Sequence, residues 1–140
     1  MPYVIRNGIV AIDGVNISSL IREVSVEMSA DDVDVTAMGA GGHGHLAGIR
    51  DDSFSFTAYS DFSSTGLHTV LNAKFVAAGT YEVKVTPSGS TIGTANPMFI
   101  GYCPALSYNP VSGAVGDAAT TPVNLPVSGT ITVLTGGTIP

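Results

Sequence analysis

The feature that most constrains this chain is a two-residue alternation of apolar and polar side chains, repeated in four separate segments. Side chains on an extended strand change face at every residue, so such alternation marks a strand with one dry and one wet face. From Leu20 to Met28, the residues Leu20, Val24, Val26 and Met28 oppose Ile21, Glu23, Ser25 and Glu27. From Asp31 to Met38, Val33, Val35 and Ala37 oppose Asp32, Asp34 and Thr36. Phe54, Phe56 and Ala58 alternate with Ser53, Ser55 and Thr57, and Tyr81, Val83 and Val85 with Glu82, Lys84 and Thr86. Strands of this kind build an antiparallel sheet that is solvated on one side.

One segment follows a different period. Leu67, Val70, Leu71 and Phe75 have the spacing of a single helical stripe, which predicts a helix from about Ser64 to Ala77. Ser63, Ser64 or Thr65 can cap its start and Gly79 can close it. Its apolar face needs a cover, and the dry face of the sheet is the one available. Further strands are expected from Pro97 to Tyr108, with Pro104 marking a bulge or an edge, around Val123 to Val127, and from Thr130 to Leu134. Turn-rich stretches separate them. The expected fold class is all-β, an antiparallel β-sandwich or barrel with one packed α-helix, in a single domain spanning residues 1–140.

Composition narrows the partners. Charged residues make up only 11% of the chain, against about a quarter in ordinary globular proteins. Either neighbours cover much of the surface, or Ser, Thr, Asn and Gly carry it. The net charge is −6, and Arg6, Arg22, Arg50, Lys74 and Lys84 are the only Lys and Arg residues, too few to neutralise a phosphate backbone. Cys103 stands alone, so no intrachain disulfide can form. The first residues lack the apolar run of a signal peptide, and no window reaches the length of a membrane span, so a protein made and soluble in a cytoplasm is expected.

Chemical motifs are weak. Gly39, Gly41 and Gly44 match the spacing of a dinucleotide fingerprint, but the residues from His45 to Asp51 show no helical period to receive a pyrophosphate. His43 and His45 offer two imidazoles where a metal needs three or four ligands on rigid supports. Asp31, Asp32, Asp51 and Asp52 lack the spacing of a calcium loop. No nucleophile sits in a recognisable elbow, and Cys103 reads as a small core hydrophobe. No catalytic residue, metal or cofactor is expected. Glu23, Glu27, Asp32, Asp34 and Glu82 fall on the polar faces of the four alternating segments, and Arg22 belongs at a rim.

In order along the chain, several segments resemble the major tail (tail tube) proteins of long-tailed bacteriophages and phage-like particles. Ile21 to Glu27 leading into Asp32-Val33-Asp34-Val35-Thr36 is similar to that family's two long strands. The Gly-rich run and His45-Leu46-Ala47-Gly48-Ile49-Arg50-Asp51 resemble the approach to its third strand. Asn96-Pro97, Tyr108 to Asp117 and Val127-Ser128-Gly129 resemble later landmarks, so the likeness covers roughly residues 5 to 130. The resemblance implies hexameric rings stacked into a tube that conducts a genome, in the tail of a virion assembled in the bacterial host cytoplasm. It implies a lumen lined by Glu23, Glu27, Asp32, Asp34 and Glu82. It also implies a mobile loop over residues 37–50, with Gly39, Gly41, Gly42, His43, Gly44, His45 and Leu46 stacking on the next ring. Implied partners are the tape measure protein, the tail terminator and tail tip proteins, and double-stranded DNA passing without specific binding; no membrane is implied. A tail terminator or head–tail joining protein on the same fold is the first alternative. An adhesin-type, ligand-binding β-sandwich is the second, although the chain has no Trp for an aromatic platform.

Overall fold

The computed structural model describes residues 4–5, 8–64, 66–89 and 92–137. Arg6 and the capping candidate Thr65 lie outside the described residues. Among the described residues, ten strands and one α-helix follow in chain order. They are β1 (Ile9–Ile12), β2 (Val15–Asn16), β3 (Ile21–Glu27), β4 (Ala30–Asp34), β5 (His45–Arg50), β6 (Ser53–Tyr59), α1 (Leu67–Val76), β7 (Thr80–Thr86), β8 (Met98–Pro104), β9 (Thr120–Pro126) and β10 (Thr132–Leu134). They form a five-stranded sheet ordered β10-β8-β7-β1-β2, a three-stranded sheet ordered β3-β6-β9, and a two-stranded ribbon β4-β5, with antiparallel pairing throughout. The all-β expectation with a single helix holds.

The two larger sheets enclose one core. Phe54, Phe56, Ala58, Val123 and Leu125 of the three-stranded sheet meet Val10, Ile12, Tyr81, Val83 and Cys103 of the five-stranded sheet. At Gly101 on β8 the layers approach closely: a Cβ there would lie 2.6 Å from the Phe54 ring and 3.1 Å from a Val127 methyl. Glycine is thus required by the facing aromatic ring rather than by backbone conformation. Cys103 is fully buried, and burial pushes its thiol up to about 12, the reverse of what a nucleophile needs.

Several expectations need correction. β1 and β2 form a hairpin around Asp13-Gly14, whose φ values of 51° and 81° suit a two-residue turn with both central residues left-handed. That strand pair was not anticipated, although the Asp-Gly dipeptide carries the signal. Ile21, placed on the wet face by parity, packs against the core, because the register slips between Ile21 and Glu23 and turns exposed Arg22 outward. The helix begins at Leu67, and Gly66 caps it without a side-chain hydrogen bond. Asp61 takes the space under Gly66, accepting the Ser63 N–H at 3.0 Å on its carboxylate and the His68 N–H at 3.1 Å on its carbonyl. At the other end the left-handed residue is Ala78 (φ 52°) rather than Gly79. The Ala78 N–H bonds the Phe75 carbonyl and the Gly79 N–H the Lys74 carbonyl, the paired closure of a Schellman turn.

Leu67 and Leu71 are buried and Val70 half-buried, whereas Phe75 is 41% exposed and lies against Tyr108. The helix is tied down by the Tyr81 hydroxyl, which donates to the Leu71 carbonyl from the start of β7.

Candidate functional site

The predicted loop over residues 37–50 is a loop only up to residue 44. His45–Arg50 is strand β5, paired with β4 through Asp34↔His45, Val33↔Leu46 and Asp32↔Ala47. The turn itself is confined to residues between the two strands, from 35 to 44. Sequence periodicity hid β5 because a bulge opposite Asp31 puts Gly48 and Ile49 against one partner residue, which breaks the alternation. Together β4 and β5 make an arm, the distal half of a long hairpin whose proximal half is β3 and β6. The arm has no second layer. Every residue of β4 is exposed, and Val33, Val35, Leu46 and Ile49 stand 42%, 52%, 60% and 81% exposed.

The arm's tip is held by its own polar groups. The Asp34 carboxylate accepts the Thr36 hydroxyl at 2.5 Å and the Thr36 N–H at 2.9 Å, and these bonds hold its pKa below the usual carboxylate range. The Thr36 hydroxyl in turn accepts the Gly44 N–H at 2.9 Å, and Val35 bonds Gly44 through the backbone. His45 Nδ1 lies 2.8 Å from Asp32, and His43 Nδ1 lies 3.9 Å from Asp34. Gly39 takes a φ of 86° in the turn, while Gly41 and Gly42 have open space around them. Met38 projects fully into solvent.

The five acids predicted to share a face do not. Glu82 lies on β7 in the five-stranded sheet, 3.1 Å from Lys84, while Glu23 and Glu27 lie on β3 in the other sheet. Asp32 and Asp34 separate from them for a different reason. Pairing runs without a slip from Glu27↔Ser53 through the Asp51 N–H bond to the Ser29 carbonyl to Ala30↔Arg50. Alternation therefore keeps phase across the break between β3 and β4. Asp32 and Asp34 continue the side of the ribbon that Val24 and Val26 occupy, opposite Glu23 and Glu27. Reading each segment's polar face separately cannot see this, because the polar parity switches where the apolar cover ends.

What remains around Glu23 and Glu27 is a coherent polar surface on the outside of the three-stranded sheet. Cross-strand rows run Glu23–Thr57–Pro122, Ser25–Ser55–Asn124 and Glu27–Ser53–Pro126. The rows hold two carboxylates, several hydroxyls and no cation. Such rows can repel a polyanion, and exposed Arg22 lies beyond them at the Ile21–Glu23 slip of β3.

A residue set aside in the sequence proves central. Asp52, at the junction of the arm and the sandwich, is fully buried and pairs with Arg50 at 2.5 Å. It also accepts the Ile131 N–H at 2.8 Å and the Ser29 N–H at 3.2 Å. Burial opposes its charge, but the Ile131 N–H, the Arg50 guanidinium and the Ser29 N–H outweigh that and hold its pKa below the ordinary carboxylate range. The Arg50-Asp51-Asp52 run showed charges in sequence without showing that one of them is internal.

No known family model and no curated protein sequence matches the chain. Solved structures do. A chain in the virion of a native gene transfer agent particle superposes with a TM-score of 0.72 at 17% identity, covering 91% of this chain and 95% of that one. The tail of an empty gene transfer agent particle, refined helically with C6 symmetry, gives 0.66 at 19% identity over 86% and 87%. The sheath–tube complex of an extracellular contractile injection system, PVC, in its extended state gives 0.65 at 12% identity over 96% and 92%. What is shared at these identities is the fold, found in chains of a gene transfer agent virion, of a gene transfer agent tail and of a contractile injection system's sheath–tube complex.

Proposed function

We propose that this chain is the structural subunit of a tail tube: six copies close into a ring, rings stack, and a genome passes along the lumen. The observation that carries the reading is the arm. A ribbon with solvent on both faces and Val33, Val35, Leu46 and Ile49 uncovered is an unfinished surface, of the kind that a neighbouring subunit covers. The C6 symmetry of one structural neighbour supports the ring number. β3 and β9 are both edges of the three-stranded sheet, and ring closure would join such edges and remove them as aggregation templates.

The lumen wall in this reading is the Glu23, Ser25, Glu27, Ser53, Ser55 and Thr57 face. DNA would slide on it because the carboxylates repel phosphate, with exposed Arg22 confined to the β3 end of the face. Asp32, Asp34 and the tip from Gly39 to Leu46 belong instead to the inter-ring contact. A tube of this kind would be built on a tape measure protein, closed by terminator and tip proteins, and carried in the tail of a virion assembled in the host cytoplasm. The role is structural rather than enzymatic.

Negative-stain microscopy of the purified protein tests the assembly. Tubes are expected; single closed rings would make it a terminator or joining protein, and persistent monomers would remove the reading. Deleting Ala40 to Gly44 should leave a folded protein that forms no tubes. Replacing Glu23 and Glu27 together with Lys should permit assembly but slow genome ejection, most at low salt where charge is least screened. Ejection equal to wild type at low salt would move these carboxylates out of the channel.

A further inference from the structure

We propose that Asp52 is a latch that sets the angle at which the arm leaves the sandwich, and that it holds only when the C-terminal strand is docked. The proposal adds a positioning residue to the tube reading, and its direct readout does not require that reading.

Three segments converge on this one carboxylate. Ser29, in the break between β3 and β4, donates its N–H at 3.2 Å. Arg50, the last residue of β5, donates its guanidinium at 2.5 Å. Ile131, just before β10, donates its N–H at 2.8 Å. The backbone of Asp52 extends the junction, since its carbonyl accepts the Val127 N–H at 2.9 Å. On the neighbouring position, the Ser29 hydroxyl donates to the Asp51 carbonyl at 2.6 Å and the Asp51 N–H to the Ser29 carbonyl at 2.8 Å.

The geometry matters because the arm is held at its base, where the Ser29–Asp51 bonds join its two sides and the Asp52 carboxylate ties them to the opposite sheet. A two-stranded ribbon without a packed face is marginal alone and twists freely. Its direction must be fixed at its base, where the β3–β4 side is interrupted at Met28 and Ser29. Asp52 binds both strands of that base and ties them to β10, which belongs to the opposite sheet through Thr132↔Ile100 and Leu134↔Met98. A fully buried carboxylate leaves its donors unpaired if it is removed, so the contact set is held or lost together. Release of β10 would remove the Ile131 donor and free the arm. Arm orientation thus waits on the last strand of the chain, and an arm that is not yet aimed cannot recruit a neighbour.

Hydrogen exchange of the full-length Asp52→Asn protein tests this. Arm amides from Asp32 to Asp34 and from Leu46 to Gly48 should exchange about tenfold faster or more, together with Ile131, while the interiors of β6 and β7 stay protected. Tube formation should fail at temperatures where circular dichroism shows the variant folded. Leu71→Ala serves as the control: it weakens the core beneath α1, away from the partners of Asp52, and should leave arm exchange and tubes as in wild type. Arm exchange unchanged in folded Asp52→Asn would overturn the latch. If that variant does not fold, Arg50→Gln decides by the same readout: faster arm exchange supports the latch, unchanged exchange overturns it. Wild-type protein that forms no tubes would sink the tube reading while the exchange result still judged the latch.

Discussion

β6 and β4 are written in the same alternating code and meet opposite fates. Phe54 and Phe56 on β6 are 0% and 2% exposed, whereas Val33 on β4 and Val35 just beyond its end stand in solvent. The difference is the second layer. β6 faces the β7–β8 side of the other sheet, while the arm has left the sandwich behind. Alternation defines which side of a strand is apolar; it does not supply the surface that covers it. A core substitution should therefore act on stability, and an arm substitution on association alone.

The comparison is broken most severely at the sandwich. Leu71→Ala, at a side chain 1% exposed, should cost about 2–5 kcal/mol in a denaturant titration. A loss under half a kcal/mol would mean that α1 contributes no packed face. Next in size, Gly101→Ala should cost about 1–3 kcal/mol, because the new methyl meets the Phe54 ring with Val127 behind it. An unchanged urea midpoint would show that the layers can part without penalty.

Smaller and of opposite sign is Ala78→Gly. A left-handed alanine is strained by roughly 1 kcal/mol, so glycine at the α1 closure should raise the melting temperature. A lower melting temperature would place the strain elsewhere. The smallest stability effect is expected in the arm: Leu46→Ser should change monomer stability by less than about 0.5 kcal/mol. Tube formation should nonetheless be lost in microscopy. Normal tubes from that variant would detach the apolar arm face from assembly.

The sequence by itself determined that Tyr81, Val83 and Val85 point one way and Glu82 and Lys84 the other, that Leu67 and Leu71 share a helical stripe, and that the class is all-β. These follow from local periods of two and 3.6 residues, which each segment carries within itself. The Asp13-Gly14 hairpin was equally local. Only the tertiary structure decided that Glu82 and Glu23 stand in different sheets, since period two names a face and never the sheet it belongs to. It also decided that β5 is a strand, because a bulge at Gly48 and Ile49 erases the period while pairing with β4 restores the strand. Asp52 is the sharpest case. Its burial depends on Ser29 and Ile131, 23 and 79 residues away in the chain, and no local pattern can report a charge whose partners are assembled by folding.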